Sequence, residues 1–218
     1  FTAFCLSGCS LFTEVDETAT WSAKDFSYSA QKQMSNGDWS GAILTYQKMQ
    51  GRFPYGREAE QALLDLAYAH YKNKEPELAV AATERFIQMH PTHKNVDYAF
   101  YLKGLSLFNP RDSLLDKITG SNPVNHDMTP IRDALIAYRE LVNRFPDSKY
   151  SKDAGDKIIY VNNVLAANEV EVARFYYSMN AFVASVNRAR GVLEEYQDSP
   201  ATEHALAIMI KSYEKMGL

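Results

Sequence analysis

The sequence predicts an all-α chain of stacked helix pairs, and three observations carry that prediction. The first is composition. There are 25 Ala and 18 Leu against 10 Gly and 8 Pro in 218 residues. That balance favours helix and starves a sandwich or barrel of the turns it needs. The second is a stripe of residues on one helical face: Ala42, Tyr46 and Met49, then Ala79, Thr83 and Phe86, then Ala134, Tyr138 and Leu141. Steps of four and three residues keep such a set on one side of a 3.6-residue helix. The third is a stop signal. Pro54, Pro91 and Pro146 each stand 12 residues after the stripe's alanine, and proline there ends a helix it cannot continue.

Taken in order, each striped helix has a partner upstream. Small residues mark the partners at Ala30, Ala67 and Gly104, where paired helices must approach closely. Turn residues separate the two, as in Asn36-Gly37-Asp38 and in residues 72–76. Helix, short turn, helix and proline stop, in three registers, resembles the tetratricopeptide repeat. Pro54 to Pro91 is 37 residues, close to the repeat's roughly 34. Pro91 to Pro146 is 55, which places an insertion at 109–128, with two Pro and one Gly. Pro146 to the equivalent Gln197 is 51, which leaves room for an additional helix at about 151–164. Repeat four then spans about 165–197, and a fifth begins at 202 and stops without its second helix. The expected fold is therefore a superhelix of about five tetratricopeptide repeats, the last one truncated. Residues 23–146 hold repeats 1–3 with the insertion, and 147–218 hold repeats 4–5 with the extra helix.

The first residues read as an address. Residues 1–8 look like the remnant of a secretory signal peptide. Leu6-Ser7-Gly8-Cys9 matches a bacterial lipobox, in which small residues precede the cysteine whose thiol carries the lipid. Cys5 and Cys9 are the two cysteines of the chain, so neither a disulfide framework nor a cysteine-based metal site is expected in its body. Residues 9–22, with Glu14, Asp16 and Glu17, read as a lipidated tether. Ser10 follows Cys9; an Asp there retains such proteins at the inner membrane of enteric-type bacteria, so Ser points to the outer membrane.

Several function classes are disfavoured. Net charge is −4, whereas a nucleic-acid binder normally carries a basic excess to displace counterions. No apolar run approaches the roughly 18 residues of a membrane span. No nucleophile elbow, phosphate loop or metalloprotease motif occurs. Acid pairs such as Glu194-Glu195 diverge on a helix. His90 and His93 flank Pro91 without a cysteine or carboxylate cluster, which fits a repeat-ending turn better than a metal site. A non-enzyme without a cofactor, apart from covalent lipid on Cys9, is the expectation.

With its lipobox and repeats, the chain resembles the BamD (ComL) family of outer-membrane assembly lipoproteins. The residues that carry the likeness include Asp38-Trp39-Ser40-Gly41-Ala42-Ile43, Arg52-Phe53-Pro54-Tyr55-Gly56, Tyr68-Ala69-His70-Tyr71-Lys72-Asn73 and Ala184-Ser185-Val186-Asn187-Arg188. The resemblance runs from Cys9 onward and includes the insertion; Gln197 departs from it by replacing a proline. It implies a lipid-anchored scaffold on the periplasmic side of the outer membrane. Its partners would be the periplasmic domains of the BamA insertase, accessory Bam lipoproteins and unfolded outer-membrane proteins. It also implies that Arg188, with Asn187 beside it, lies at the insertase interface. The alternative is another lipid-anchored repeat protein of pilus or secretin assembly or of cell-wall coordination, which would lack the insertion.

Repeat offsets supply a second candidate site. Positions one and four after Ala67 are Tyr68 and Tyr71; Phe108 follows Gly104 by four, and Tyr101 precedes it by three. Repeat one contributes Met34 and, nearby, Tyr28. The inner face of the first three repeats is therefore expected to carry rings and Met, a surface suited to extended apolar peptides. The same rings could instead only pack between repeats.

Overall fold

Ser22 and Asp25 start the first helix by exchanging hydrogen bonds. The Asp25 N–H donates to the Ser22 hydroxyl at 3.3 Å, and the Ser22 N–H donates to the Asp25 carboxylate at 2.8 Å. This reciprocal cap satisfies two N–H groups that a helix start leaves free. A computed structural model of the chain describes residues 17–108, 124 and 126–218. Cys9, the leader 1–8, the tether to residue 16 and insertion residues 109–123 and 125 lie outside the described residues.

Nine helices and no strand occur among the described residues: α1 (Ala23–Ser35), α2 (Trp39–Arg52), α3 (Arg57–Lys72), α4 (Pro76–Met89), α5 (Val96–Leu107), α6 (Thr129–Arg144), α7 (Ser151–Ser178), α8 (Phe182–Glu195) and α9 (Ala201–Lys215). Each packs against its neighbours in sequence. The first helices of successive pairs also meet, α1 with α3, α3 with α5 and α7 with α9. This is the stacking of a tetratricopeptide-type superhelix. All nine stripe residues from Ala42 to Leu141 are fully buried, because that face meets the partner helix.

The small residues have a steric cause. Ala30 and Ala67 are fully buried. At Gly104 a side-chain carbon would stand 2.4 Å from the Tyr138 ring, well inside contact distance, so the ring occupies the space that glycine leaves. The stops also behave as expected. Phe53, His90 and Phe145 leave the helical conformation ahead of their prolines, with ψ of 74°, 56° and 60°. Tyr196 adopts the same conformation ahead of Gln197, so packing alone can end the helix there.

One expectation is corrected. Residues 151–164 do not form a separate helix: α7 runs unbroken for 28 residues through the expected start of repeat four. The segment between Asn162 and Phe175 contains no Gly or Pro, and nothing in it can stop a helix. The extra length between Pro146 and Gln197 is absorbed by a longer first helix.

That helix ties together two of three cores. α1–α3 enclose Phe26, Tyr46 and Met49. A second core takes Leu64, Phe86, Phe100, Phe108 and Tyr138 together with Ala154, Val161 and Leu165 of α7. The third takes Ala166, Val170 and Ala173 of α7 with Ala189, Val192, Ala205 and Ile208. Adjacent residues, Leu165 and Ala166, thus belong to different cores.

Candidate functional site

The first candidate region is a cluster of rings along α3, α5 and the turn before α7. Tyr98 and Tyr101 lie one turn apart on α5 and both meet Tyr150, at 5.2 and 5.0 Å between ring centres; the Tyr101–Tyr150 pair is stacked. Trp39 meets the Tyr68 ring edge-on at 5.9 Å. The Tyr101 hydroxyl donates to Asp153 at 2.5 Å, and Lys157 approaches the same carboxylate at 3.4 Å. Burial pushes the phenols of Tyr98 and Tyr101 above their ordinary range, reinforced for Tyr101 by Asp153. Both therefore stay neutral donors at any physiological pH.

Beneath the rings lies a polar relay. The Tyr46 hydroxyl and the Gln61 amide donate to Asp65 at 3.0 and 2.7 Å, and the Asn95 amide donates to Gln61 at 3.1 Å. Burial raises the Asp65 carboxyl, while bonds from Gln61, Tyr46 and Gln31 oppose the rise. One ring does without a polar partner: the Tyr138 hydroxyl is buried and unbonded.

The expected groove residues divide. Tyr68, Tyr71 and Tyr101 are half-buried around this cluster, and Met34 packs on the first core. Tyr28 is 71% exposed and stands apart from the rings. Phe108 is 6% exposed and part of the second core, against Tyr160. It is therefore no wall of a groove; at the C-terminal end of α5 it packs inward with the second core. Tyr98, Tyr150, Asp65 and Asp153 were missed by the repeat offsets. Tyr98 was visible as one turn before Tyr101; Tyr150 and Asp153 fall in the segment lengthened relative to the repeat.

The second candidate region surrounds Arg188. Its guanidinium donates from Nη1 to Glu169 Oε2 at 3.2 Å, and Arg132 donates from Nη2 to Glu169 Oε1 at 3.2 Å. Arg188 is thus held internally, an arrangement the sequence reading did not contain. Asn187 is exposed beside it. α7 supplies the floor of this region, and α6 and α8 supply the walls.

His90 and His93 lie in the turn after α4, with their rings against Phe86 at 5.4 and 5.1 Å. Each has one nitrogen 4.0 Å from Glu60. Burial lowers the His93 imidazole below its ordinary range, which suits an apolar turn contact. No group of three His, Cys, Asp or Glu among the described residues could hold a metal ion. No described helix is long and apolar enough to cross a membrane.

Comparison with known proteins gives consistent results. The YfiO family model, described as outer membrane lipoprotein, matches residues 20–218. A relative from Neisseria meningitidis serogroup A, named outer membrane protein assembly factor BamD, is 39% identical over 216 residues, covering 97% of this chain and 81% of the relative. Proteins of the same name from Pasteurella multocida and Vibrio cholerae are 34% and 31% identical, covering 100% and 87% of this chain and 82% and 78% of their own lengths.

Proposed function

The chain belongs to the YfiO/BamD family of outer membrane lipoproteins, and on that premise we propose that it is a scaffold for the assembly of outer-membrane β-barrels. It is anchored through lipid on Cys9 to the periplasmic face of the outer membrane and has no catalytic role. The C-terminal helices bind the periplasmic domains of BamA through Arg188 and Asn187. The ring cluster of repeats 2 and 3 binds unfolded outer-membrane proteins, and accessory Bam lipoproteins complete its partners.

The observation that carries this reading is the pairing of two unlike surfaces on one stack. Half-buried rings of Tyr68, Tyr71 and Tyr101 offer flat area, and Asp153 fixes the Tyr101 ring through its hydroxyl, which suits an extended peptide with aromatic side chains. Arg188, on α8 against the far half of α7, offers a planar fork for a partner's carboxylate.

Two titrations test it. The Tyr68→Ala, Tyr71→Ala double variant should bind a peptide from the C-terminal strand of an outer-membrane protein about tenfold more weakly, the scale of a lost aromatic anchor. Arg188→Glu should weaken binding of the BamA periplasmic domains, since it sets a second carboxylate beside Glu169. Unchanged affinity in either titration overturns that half of the proposal.

A further inference from the structure

Glu169 is unusual among the carboxylates of the described surface. Its side chain is only 14% exposed, while the two arginines on it, Arg132 and Arg188, are 52% and 48% exposed. It lies at the bottom of a cleft of about 290 Å³ between α6, α7 and α8, with Met128, Asn168 and Val172 alongside. Arg132 comes from α6 and Arg188 from α8, so the two cations face each other across the carboxylate.

The hydrogen bonds in this cleft do not close, although Asp127 at its rim supplies a second negative charge. One carboxylate has two oxygens and gives one to each guanidinium. Each guanidinium has five N–H donors and delivers one of them to Glu169. Asp127 on the rim is turned away to the Thr129 N–H at 2.9 Å, which holds its carboxyl below the usual range. Arg139, about two turns further along α6, is engaged with Asn162 at 3.4 Å. Two guanidiniums with one buried counter-ion therefore keep donors on offer at the cleft mouth.

We propose that Arg132 and Arg188 together clamp one carboxylate side chain of the protein partner, and that Glu169 is a built-in surrogate for it. In the free chain Glu169 holds the two forks within reach of one another. On binding, the partner's acid takes the free donors of both and shares or displaces Glu169. The free donors select the occupant: a second carboxylate can accept from both forks at once and alternate with Glu169 between the two cations, and charges paired in this way tolerate desolvation far better than unmatched ones. This inference rests on the placement of the partner at Arg188, and it extends that site to a second arginine on another helix.

The test uses the whole chain and the purified periplasmic domains of the BamA insertase. Arg132→Ala should weaken binding about tenfold, as should Arg188→Ala, and the double variant should lose much less than the product of the two, because both grip one group. Glu169→Gln should tighten binding about threefold, more at low salt, by removing the surrogate's repulsion of the incoming acid. The same variant should melt lower when free and gain more in melting temperature on adding the partner, since binding restores the missing counter-ion. Full affinity in Arg132→Ala, or weaker binding in Glu169→Gln, overturns the clamp. If Arg188→Ala also keeps full affinity, it is the underlying placement of the interface that fails.

Discussion

The two halves of α7 are built against different materials. Its first half enters a core of rings, with Phe86, Phe100, Phe108 and Tyr138 around Ala154, Val161 and Leu165. Its second half enters a core of small aliphatics, where Ala166, Val170 and Ala173 meet Ala189, Val192 and Ala205. Polar groups follow the same division. Around the rings, hydroxyls and amides reach across helices to Asp65, Asp97 and Asp153. In the C-terminal half, a buried pair of serines closes on itself: Ser185 donates to the Ala173 carbonyl at 2.9 Å, and Ser212 to Ser185 at 3.2 Å. Rings fill wide gaps and leave partly exposed edges, whereas alanines bring helices together and leave only long side chains at the surface. The ring half therefore presents a stacked cluster of phenols, and the alanine half presents Arg188 along with ring pairs of its own at Phe175–Tyr176 and Tyr177–Phe182.

The most disruptive way to break this comparison is to cut the helix that spans it. Val164→Pro removes a hydrogen bond and forces a ring into the preceding turn at the boundary between the cores, a change that costs about 3 kcal/mol or more. In a stack whose units touch only their neighbours, the C-terminal pair should then unfold in a separate, earlier step. Urea unfolding followed by far-UV circular dichroism checks this; a single transition at unchanged midpoint would show that α7 does not carry the coupling.

A smaller cut sharpens the ring side alone. Gly104→Ala places a methyl 2.4 Å from the Tyr138 ring. Overpacking of this kind costs about 1–3 kcal/mol, and the better helix propensity of alanine returns about 1. A net loss of up to about 2 kcal/mol is expected in thermal or urea unfolding. Affinity for the BamA domains should change little, since Glu169 and Arg188 lie on the other half and Arg132 stands about two turns from Tyr138 along α6.

Much of the fold was legible because the repeat writes it in a fixed register. The stripe at Ala42, Tyr46 and Met49, copied twice, predicts burial without any knowledge of the partner helix, and all copies are buried. The length of α7 was not legible from proline spacing, because spacing counts residues and cannot say whether they continue one helix or start another. The candidate sites were legible only in part. Tyr68, Tyr71 and Tyr101 share the repeat offsets, but Tyr150 and Asp153 join them from outside the register. The Arg132–Glu169–Arg188 group draws on three helices, with 37 residues between the first two. No local pattern encodes that meeting; it follows from how far α7 extends past α6 before α8 returns along it.

The smallest test concerns a single oxygen on the ring side. Tyr138 is fully buried, its hydroxyl has no hydrogen-bond partner, and burial lifts its phenol above the ordinary range. An unmatched buried hydroxyl costs desolvation without a bond to offset it. Tyr138→Phe keeps the ring that Gly104 accommodates and removes only that oxygen. Stability should therefore rise, by up to about 1 kcal/mol, or hold level if a water already meets the hydroxyl. A loss of more than about 1 kcal/mol in urea unfolding would mean that the hydroxyl has a partner it cannot spare. The candidates to supply one are Tyr101, Asp153 and Tyr71, whose charges act on this phenol. In that case the ring side would hold a continuous polar network reaching from its core to its exposed phenols, and the contrast with the self-contained serine pair of the C-terminal half would be sharper still.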